Sequence, residues 1–409
     1  MEEIKKTFGV GGMKKLIGLF FLCVSSSSHL FGKAPLPESE IMPNYGLQNK
    51  DRIGGSLEIS YIYWRVSEEG LDSGAANVAK QPVYSNNQLV DKETYGILDR
   101  CSSGFKVGLG SDFRYDGWEL DLLYTNFHSN YNPPVELSAD CDPTLAPSKG
   151  PYYGISQGNF SVKDQSIPVV TSLLFNNIVS EVYSVWRLRF NTIDLTLSKT
   201  FFVSPKLLCT PTIGLKGAWI KQSWIQKYLN RGNGINIGGS STSQTYALLN
   251  PTYSSSDYSY QNLKENYRIT SEQWSGGIGP RFGFETAWIV IDEITLFVDV
   301  YGTTLCGYFK DTRKDTSKIL NSSDEILIDN YTAVATRADA HLITPVIESL
   351  LGIRYDAFFC DQKYRFRMQL GFENQLWFEQ NHLIGNYLTE PMGGDLTFMG
   401  LNFMVRFDF

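Results

Sequence analysis

The stretch Tyr364-Arg365-Phe366-Arg367-Met368-Gln369-Leu370-Gly371-Phe372-Glu373 decides the fold class. Successive side chains of an extended chain point to opposite faces. Tyr364, Phe366, Met368, Leu370 and Phe372 therefore share one face, and Arg365, Arg367, Gln369, Gly371 and Glu373 share the other. A helix would scatter the two sets around its axis. The alternation also runs further than the five or six residues usual for a strand in a soluble sandwich. Such a strand needs two different media, an apolar one outside and a polar one within.

The same zigzag recurs on both sides of this segment. Leu401, Phe403, Val405, Phe407 and Phe409 oppose Asn402, Arg406 and Asp408. Ile347, Leu351 and Ile353 oppose Glu348 and Arg354, and Leu296, Val298 and Val300 oppose Thr295, Asp299 and Tyr301. Ile278, Phe282 and Phe284 oppose Arg281 and Glu285, and Ile213, Leu215 and Trp219 oppose Lys216. Near the N-terminus, Leu57, Ile59, Tyr61 and Tyr63 share a face, Phe105, Val107 and Leu109 oppose Lys106, and Trp118, Leu120 and Leu122 oppose Glu119 and Asp121. In Trp186-Arg187-Leu188-Arg189-Phe190 the arginines are assigned to the polar face. Ile193, Leu195 and Leu197 then continue on the other parity, so a β-bulge is expected near Asn191.

These segments make ten candidate strands whose connections alternate in length. Short ones fall near 114–117, 202–206, 291–293 and 359–362; long ones, rich in Ser, Asn, Gly and Pro, span about 67–101, 129–182, 228–272, 310–340 and 380–394. Long loops at one end and short turns at the other are the layout of a bacterial outer-membrane barrel. The expected fold is all-β: a transmembrane antiparallel up-and-down β-barrel of about ten strands (10–12), spanning 54–409, with long extracellular loops and short periplasmic turns. All eight Trp fall in or at the ends of the candidate strands, as an interfacial aromatic girdle requires.

The remaining sequence is consistent with export. Met13-Lys14-Lys15 precedes an apolar run, Leu16 to Val24, too short to span a bilayer, and a serine stretch follows. Residues 1–34 read as a signal peptide, with Met13 an alternative start, and 35–53 as a periplasmic N-terminal segment. Beyond Val24 no apolar run is long enough for a spanning helix. The net charge of −7 supplies no basic face for phosphate and argues against nucleic acid as a partner. The expected location is the bacterial outer membrane, reached through the periplasm. The expected partners are its lipid and lipopolysaccharide. The terminal aromatic Phe409 is the candidate signal for the outer-membrane assembly machinery.

Ile62-Tyr63-Trp64-Arg65 with Glu68-Glu69-Gly70-Leu71 resembles the first strand of the Legionella-type major outer-membrane protein family, whose relatives occur in environmental chlamydiae. Gly104-Phe105-Lys106-Val107-Gly108-Leu109-Gly110, Asp116-Gly117-Trp118 and Tyr124-Thr125-Asn126-Phe127-His128 extend the likeness over about 54–130. The resemblance implies a pore-forming barrel and carries no catalytic residues. It also makes cross-linking to neighbours through disulfides, in a homo-oligomer or otherwise, an expectation. Within the chain, Cys101 and Cys141 both fall in predicted outer loops and form the candidate pair.

The candidate pore-lining residues are the charged members of the polar faces: Lys106, Glu119, Asp121, Arg187, Arg189, Lys216, Arg281, Glu285, Glu348, Arg354, Arg365, Arg367, Glu373 and Arg406, with Glu58, Asp194 and Asp299 among the further acidic ones. Their signs nearly balance, so the lumen is either a wet channel or a closed interior knitted by ion pairs. Chemistry is poorly represented. There is no CxxC, HExxH or Gly-x-Ser-x-Gly, and no metal or cofactor is expected. Asp339 with His341 is the nearest imitation of a rim-site hydrolase, and a lone Asp-x-His is weak. The expected function is a porin-like channel, not an enzyme. The alternative is a structural or adhesive surface barrel, with loops that contact a host cell.

Overall fold

The computed structural model describes residues 54–71, 100–113, 117–131, 181–229, 264–291, 293–320, 326–360, 363–384 and 393–409, with short strands at 74–77, 92–95, 134–135, 145–146, 158–162 and 165–169. Ten long strands build one sheet: β1 Gly54–Glu68, β2 Arg100–Phe113, β3 Trp118–Tyr131, β4 Glu181–Lys199, β5 Leu207–Leu229, β6 Lys264–Ile291, β7 Ile294–Leu320, β8 Ile326–Phe359, β9 Tyr364–Trp377 and β10 Leu396–Asp408. Each pairs antiparallel with its neighbour in sequence, and β10 pairs with β1 from Ser56↔Asp408 to Glu68↔Leu396. The sheet is thereby closed and leaves no open edge in the ring. Phe409 extends this last seam, exchanging two backbone hydrogen bonds of 2.9 Å with Gly55.

The short connections stand where the sequence places them. The turn before β3 uses Gly117 at φ 63°, a left-handed conformation that glycine adopts without steric cost. Between β4 and β5 the short strand Phe201–Ser204 folds back on the start of β5.

The outer surface is an apolar band. Leu57, Ile59, Leu122, Ile193, Leu215, Ile278, Phe282, Leu296, Leu351, Leu370 and Phe403 are among its exposed members. A continuous exposed belt of this kind is untenable in water and matches the lipid-facing band of a membrane barrel. Only half of the tryptophans belong to it. Trp118, Trp219, Trp274 and Trp288 face outward, whereas Trp64, Trp186, Trp224 and Trp377 are buried inside.

Two expectations about the strands need correction. β4 pairs with β5 in unbroken register from Glu181↔Leu229 to Ser198↔Thr212, so there is no bulge at Asn191. The change of polarity along β4 reflects a change in what fills the barrel. The span 310–340 is also no loop, because β7 and β8 continue pairing as far as Leu320↔Ile326. Its hydrophilic sequence reads as a loop because the strands there have passed beyond the apolar band, where an outward face needs no grease. β6 likewise begins at Lys264, inside the expected 228–272 loop. The expected signal peptide 1–34 and the segment 35–53 lie outside the described residues.

Candidate functional site in the barrel interior

In the half of the barrel nearest the short turns, the interior is ionic. Lys216 on β5 lies 2.9 Å from Asp194 on β4 and 2.7 Å from Glu348 on β8. Arg281 on β6 reaches the same Glu348 at 2.8 Å, and its guanidinium stacks on Tyr301 of β7 at 4.0 Å. Tyr301 in turn donates its hydroxyl to Glu285. Lys106 on β2 bonds Glu373 on β9 at 2.7 Å, and Asn402 and Gln375 donate to that same carboxylate. Nearer the short turns, Arg406 meets Asp121 at 3.3 Å, Glu119 at 3.6 Å and Asp408 at 2.7 Å. Arg365 bonds Asp408 at 2.6 Å, Arg367 bonds Asp356 at 2.7 Å, and Arg354 donates to Gln369 at 3.3 Å.

Glycine makes room for part of this network. A Cβ on Gly110 would sit 2.2 Å from both the Asp121 carboxylate and the Ser56 hydroxyl. A larger residue there would displace the acid that faces Arg406.

The network is not fully packed. A cavity of about 180 Å³ runs among Glu58, Lys106, Asp121, Glu285, Asp299 and Arg406. That is space for roughly a dozen waters. Asp299 Oδ1 and Asn402 Oδ1 are buried and lack a protein hydrogen-bond partner, and both residues line this cavity. Buried polar oxygens of this kind call for water or a solute.

Toward the long-loop end the interior changes character. Ile62 and Trp64 of β1, Phe127 of β3, Phe190 of β4, Trp377 of β9 and Phe398 of β10 are all fully buried. Trp64 packs against Phe127 and Phe398 with ring centroids 5.4 Å apart in both pairs, and Phe190 lies 4.5 Å from Phe398 and 5.2 Å from Trp377. Together these rings form an aromatic plug across the barrel. Lys106 sits 5.2 Å over Trp64 and Lys216 5.8 Å over Trp377, so cation–π contacts join the ionic half to the plug.

A strap seals the plug from the long-loop side. After β9, residues 378–384 turn into the barrel mouth, starting with Glu379 at φ 49°. Asn381 donates to the Glu69 carbonyl at 2.6 Å and Gln380 to the Ser275 hydroxyl at 2.8 Å. Gln273 donates to the Gln380 carbonyl at 2.6 Å. Leu383 is completely buried against the plug cluster, and His382 packs on Phe309 at 4.8 Å.

Twelve of the fourteen candidate lining residues point inward into the ionic half. The other two, Arg187 and Arg189, are exposed on the outer face of β4, while Trp186, Leu188 and Phe190 point inward. At that height the lumen is apolar, so the usual inside-outside rule is inverted. Sequence reasoning missed the plug and the strap. One signal was available: Tyr61-Ile62-Tyr63-Trp64 is apolar on both faces, as a strand between lipid and a greasy interior must be. Asp339 and His341 face outward on β8. Asp339 is held by Arg337 at 2.7 Å and His341 lies against Tyr308 at 5.1 Å. Cys101 is an exposed free thiol, and its candidate partner Cys141 lies outside the described residues. Among the described residues no cluster of His, Cys, Asp and Glu could hold a metal.

A closed antiparallel ring with an apolar outer belt, an ionic interior and alternating short and long connections defines an integral bacterial outer-membrane β-barrel. Residues 52–409 match the family model described as the Legionella pneumophila major outer membrane protein precursor, and the chain belongs to that family. No curated protein matches it. Solved structures similar to it include the Escherichia coli outer-membrane protease OmpT, at 9% identity, covering 88% of this chain and 97% of that one with a TM-score of 0.31. A TodX monoaromatic hydrocarbon channel mutant aligns at 10% identity over 87% and 90% with a TM-score of 0.27. A Pseudomonas aeruginosa FadL homologue aligns at 9% over 91% and 95% with a TM-score of 0.22. Similarity at this level carries no function from any of them.

Proposed function

We propose that the barrel is a channel for passive passage of ions or small solutes, held shut by the aromatic plug and its strap. The cavity of about 180 Å³ among charges of both signs is the observation that carries this reading. A purely structural interior has no use for unpaired buried oxygens facing an open space. The plug fits a closed gate for a related reason. Trp64 Nε1 is buried without a hydrogen-bond partner, a loss of about 1–3 kcal/mol that a core selected only for stability would avoid. Within this reading Phe409 serves the assembly machinery, and the exposed thiols of Cys101 and Cys360 are available for links to neighbours. No catalysis is assigned.

A second reading, a structural or adhesive surface barrel without an open pore, draws on the complete burial of Trp64, Phe190 and Phe398. Conductance of the folded mature chain in planar bilayers decides between them. Discrete openings that alternate with a long-lived closed level support the channel. An electrically silent barrel under all voltages and pH values would leave the structural reading.

A further inference from the structure

We propose that the outer face of β4–β7, just above the apolar band, binds the phosphate groups of a glycolipid of the lipopolysaccharide type. Arg187 and Arg189 on β4, Lys221 and Lys227 on β5, Arg268 on β6 and Lys310 on β7 are all exposed there. None of the six forms an ion pair with an acidic side chain among the described residues. Two pairs of like charge stand directly opposite each other across strands: Arg189↔Lys221 and Lys227↔Arg268. Like charges in that position destabilise a sheet unless a counter-ion is supplied. The chain as a whole is acidic, with a net charge of −7, so this local excess is not a by-product of a basic protein.

The height of the patch identifies the counter-ion. Arg189, Lys221, Trp274 and Lys310 are consecutive cross-strand neighbours in one row. The ring of Trp274 packs against Tyr308, 6.2 Å away, the outward residue immediately below Lys310. Trp and Tyr mark the level where hydrocarbon meets headgroups. The outward residue just below the row on β5, Trp219, belongs to the apolar band; on β4 the polar Asn191 comes first and Ile193 then enters the band. On β4 the band runs between outward Lys199 and Arg189, ten residues apart and close to what a tilted strand needs to cross a bilayer. The basic row therefore lies at the outer headgroup level, where anionic lipid attracts each Lys or Arg.

The patch also has edges. Next to Arg189 and Arg187 on β3 stand His128 and Asn130, and at the far side Lys310 stands opposite Asp339, already held by Arg337. The exposed Glu272 on β6 is the acid within the patch, diagonal to Lys221. A lipid would dock on one flank of the barrel, with its phosphates spanning the row.

The test uses the folded, delipidated mature chain in neutral detergent. Its probes are bis-phosphorylated lipid A, the same lipid enzymatically dephosphorylated, and inorganic phosphate. Wild-type protein should bind the phosphorylated lipid at least about tenfold more tightly than the dephosphorylated one. The triple variant Arg189→Gln, Lys221→Gln, Lys310→Gln should abolish that preference. Arg189→Lys, Lys221→Arg, Lys310→Arg should retain it, which keeps the test decisive if the neutral variant folds poorly. Equal binding of the two lipids, an unchanged preference in the neutral variant, or displacement by millimolar inorganic phosphate would overturn the proposal.

Discussion

The two halves of the barrel interior obey opposite rules. Near the short turns the inward residues are ions paired across strands, as in Lys216 with Asp194 and Glu348. Near the long loops the inward residues are rings, as in Trp64, Phe190 and Phe398. The same strands build both halves with the same alternation of faces. β4 carries Asp194 inward at one level and Phe190 inward at the next but one. Alternation thus fixes that two faces exist, while the level along the barrel decides which chemistry each face carries. Along β4, outside the bilayer the outer face turns basic and the inner one greasy, and inside it the assignment reverses. On β7 at the long-loop end the inner face stays ionic, with Arg313 bonded to Asp315 at 2.7 Å.

The largest expected effect comes from removing the plug. Trp64→Ala with Phe190→Ala should cost roughly 3–5 kcal/mol per site, since each deletes a large buried ring. If the rings form the gate, the double variant also opens the pore. Frequent or permanent openings in planar bilayers, with a lowered urea midpoint in refolding measurements, would confirm both. A destabilised but silent barrel would make the rings a core and nothing more.

Breaking the ionic half should cost nearly as much. Lys216→Met leaves Asp194 and Glu348 with only Arg281 between them, at 3.7 Å and 2.8 Å. Removing one partner of a buried ion pair costs about 3–5 kcal/mol. Replacing the whole set of four, Lys216, Arg281, Asp194 and Glu348, with apolar residues of like volume should cost much less. Equilibrium unfolding of the two variants side by side checks this, and equal losses would contradict it.

A smaller effect should follow from pH at the strap. Burial holds the His382 pKa below that of a free histidine, partly opposed by Glu379. The proton therefore binds the unfolded or undocked strap more readily than the docked one. Docking is strongest above about pH 6.5 and weakens as pH falls through that value toward the lower docked pKa. More frequent openings, or faster proteolytic cleavage near residue 382, should appear on acidification and vanish in His382→Gln. The smallest change is Glu119→Gln. That carboxylate is 32% exposed and 3.6 Å from Arg406, so its loss should shift stability by under about 1 kcal/mol. A loss as large as that of Lys216→Met would mean the ionic half is a single unit from end to end.

Much of this was legible in the sequence, and unevenly so. The ten strands, their short turns and twelve of the fourteen lining charges followed from alternation alone, because lipid imposes one apolar face on every strand. Arg187 and Arg189 were misplaced because that imposition ends where the bilayer ends. Beyond it the sequence is free to invert its faces, and Trp186, Leu188 and Phe190 do so. The extensions of β7 and β8 through Lys310-Asp311-Thr312-Arg313 were hidden for the same reason. The strap was illegible because its hold on the barrel rests on backbone carbonyls and side-chain amides, Gln273, Gln380 and Asn381, whose partners lie 105 to 312 residues away. No local pattern encodes contacts of that range.

The strap also sets an order of events. Asn381 fastens to Glu69 at the top of β1, and its own backbone N–H to Gly394 beside β10. The seal at the mouth thus joins the first strand to the last and comes into being only when the ring has closed. Until that moment a growing barrel has no stopper. Insertion would pass through a leaky stage, and the finished, quiet barrel would be the product of its final seam.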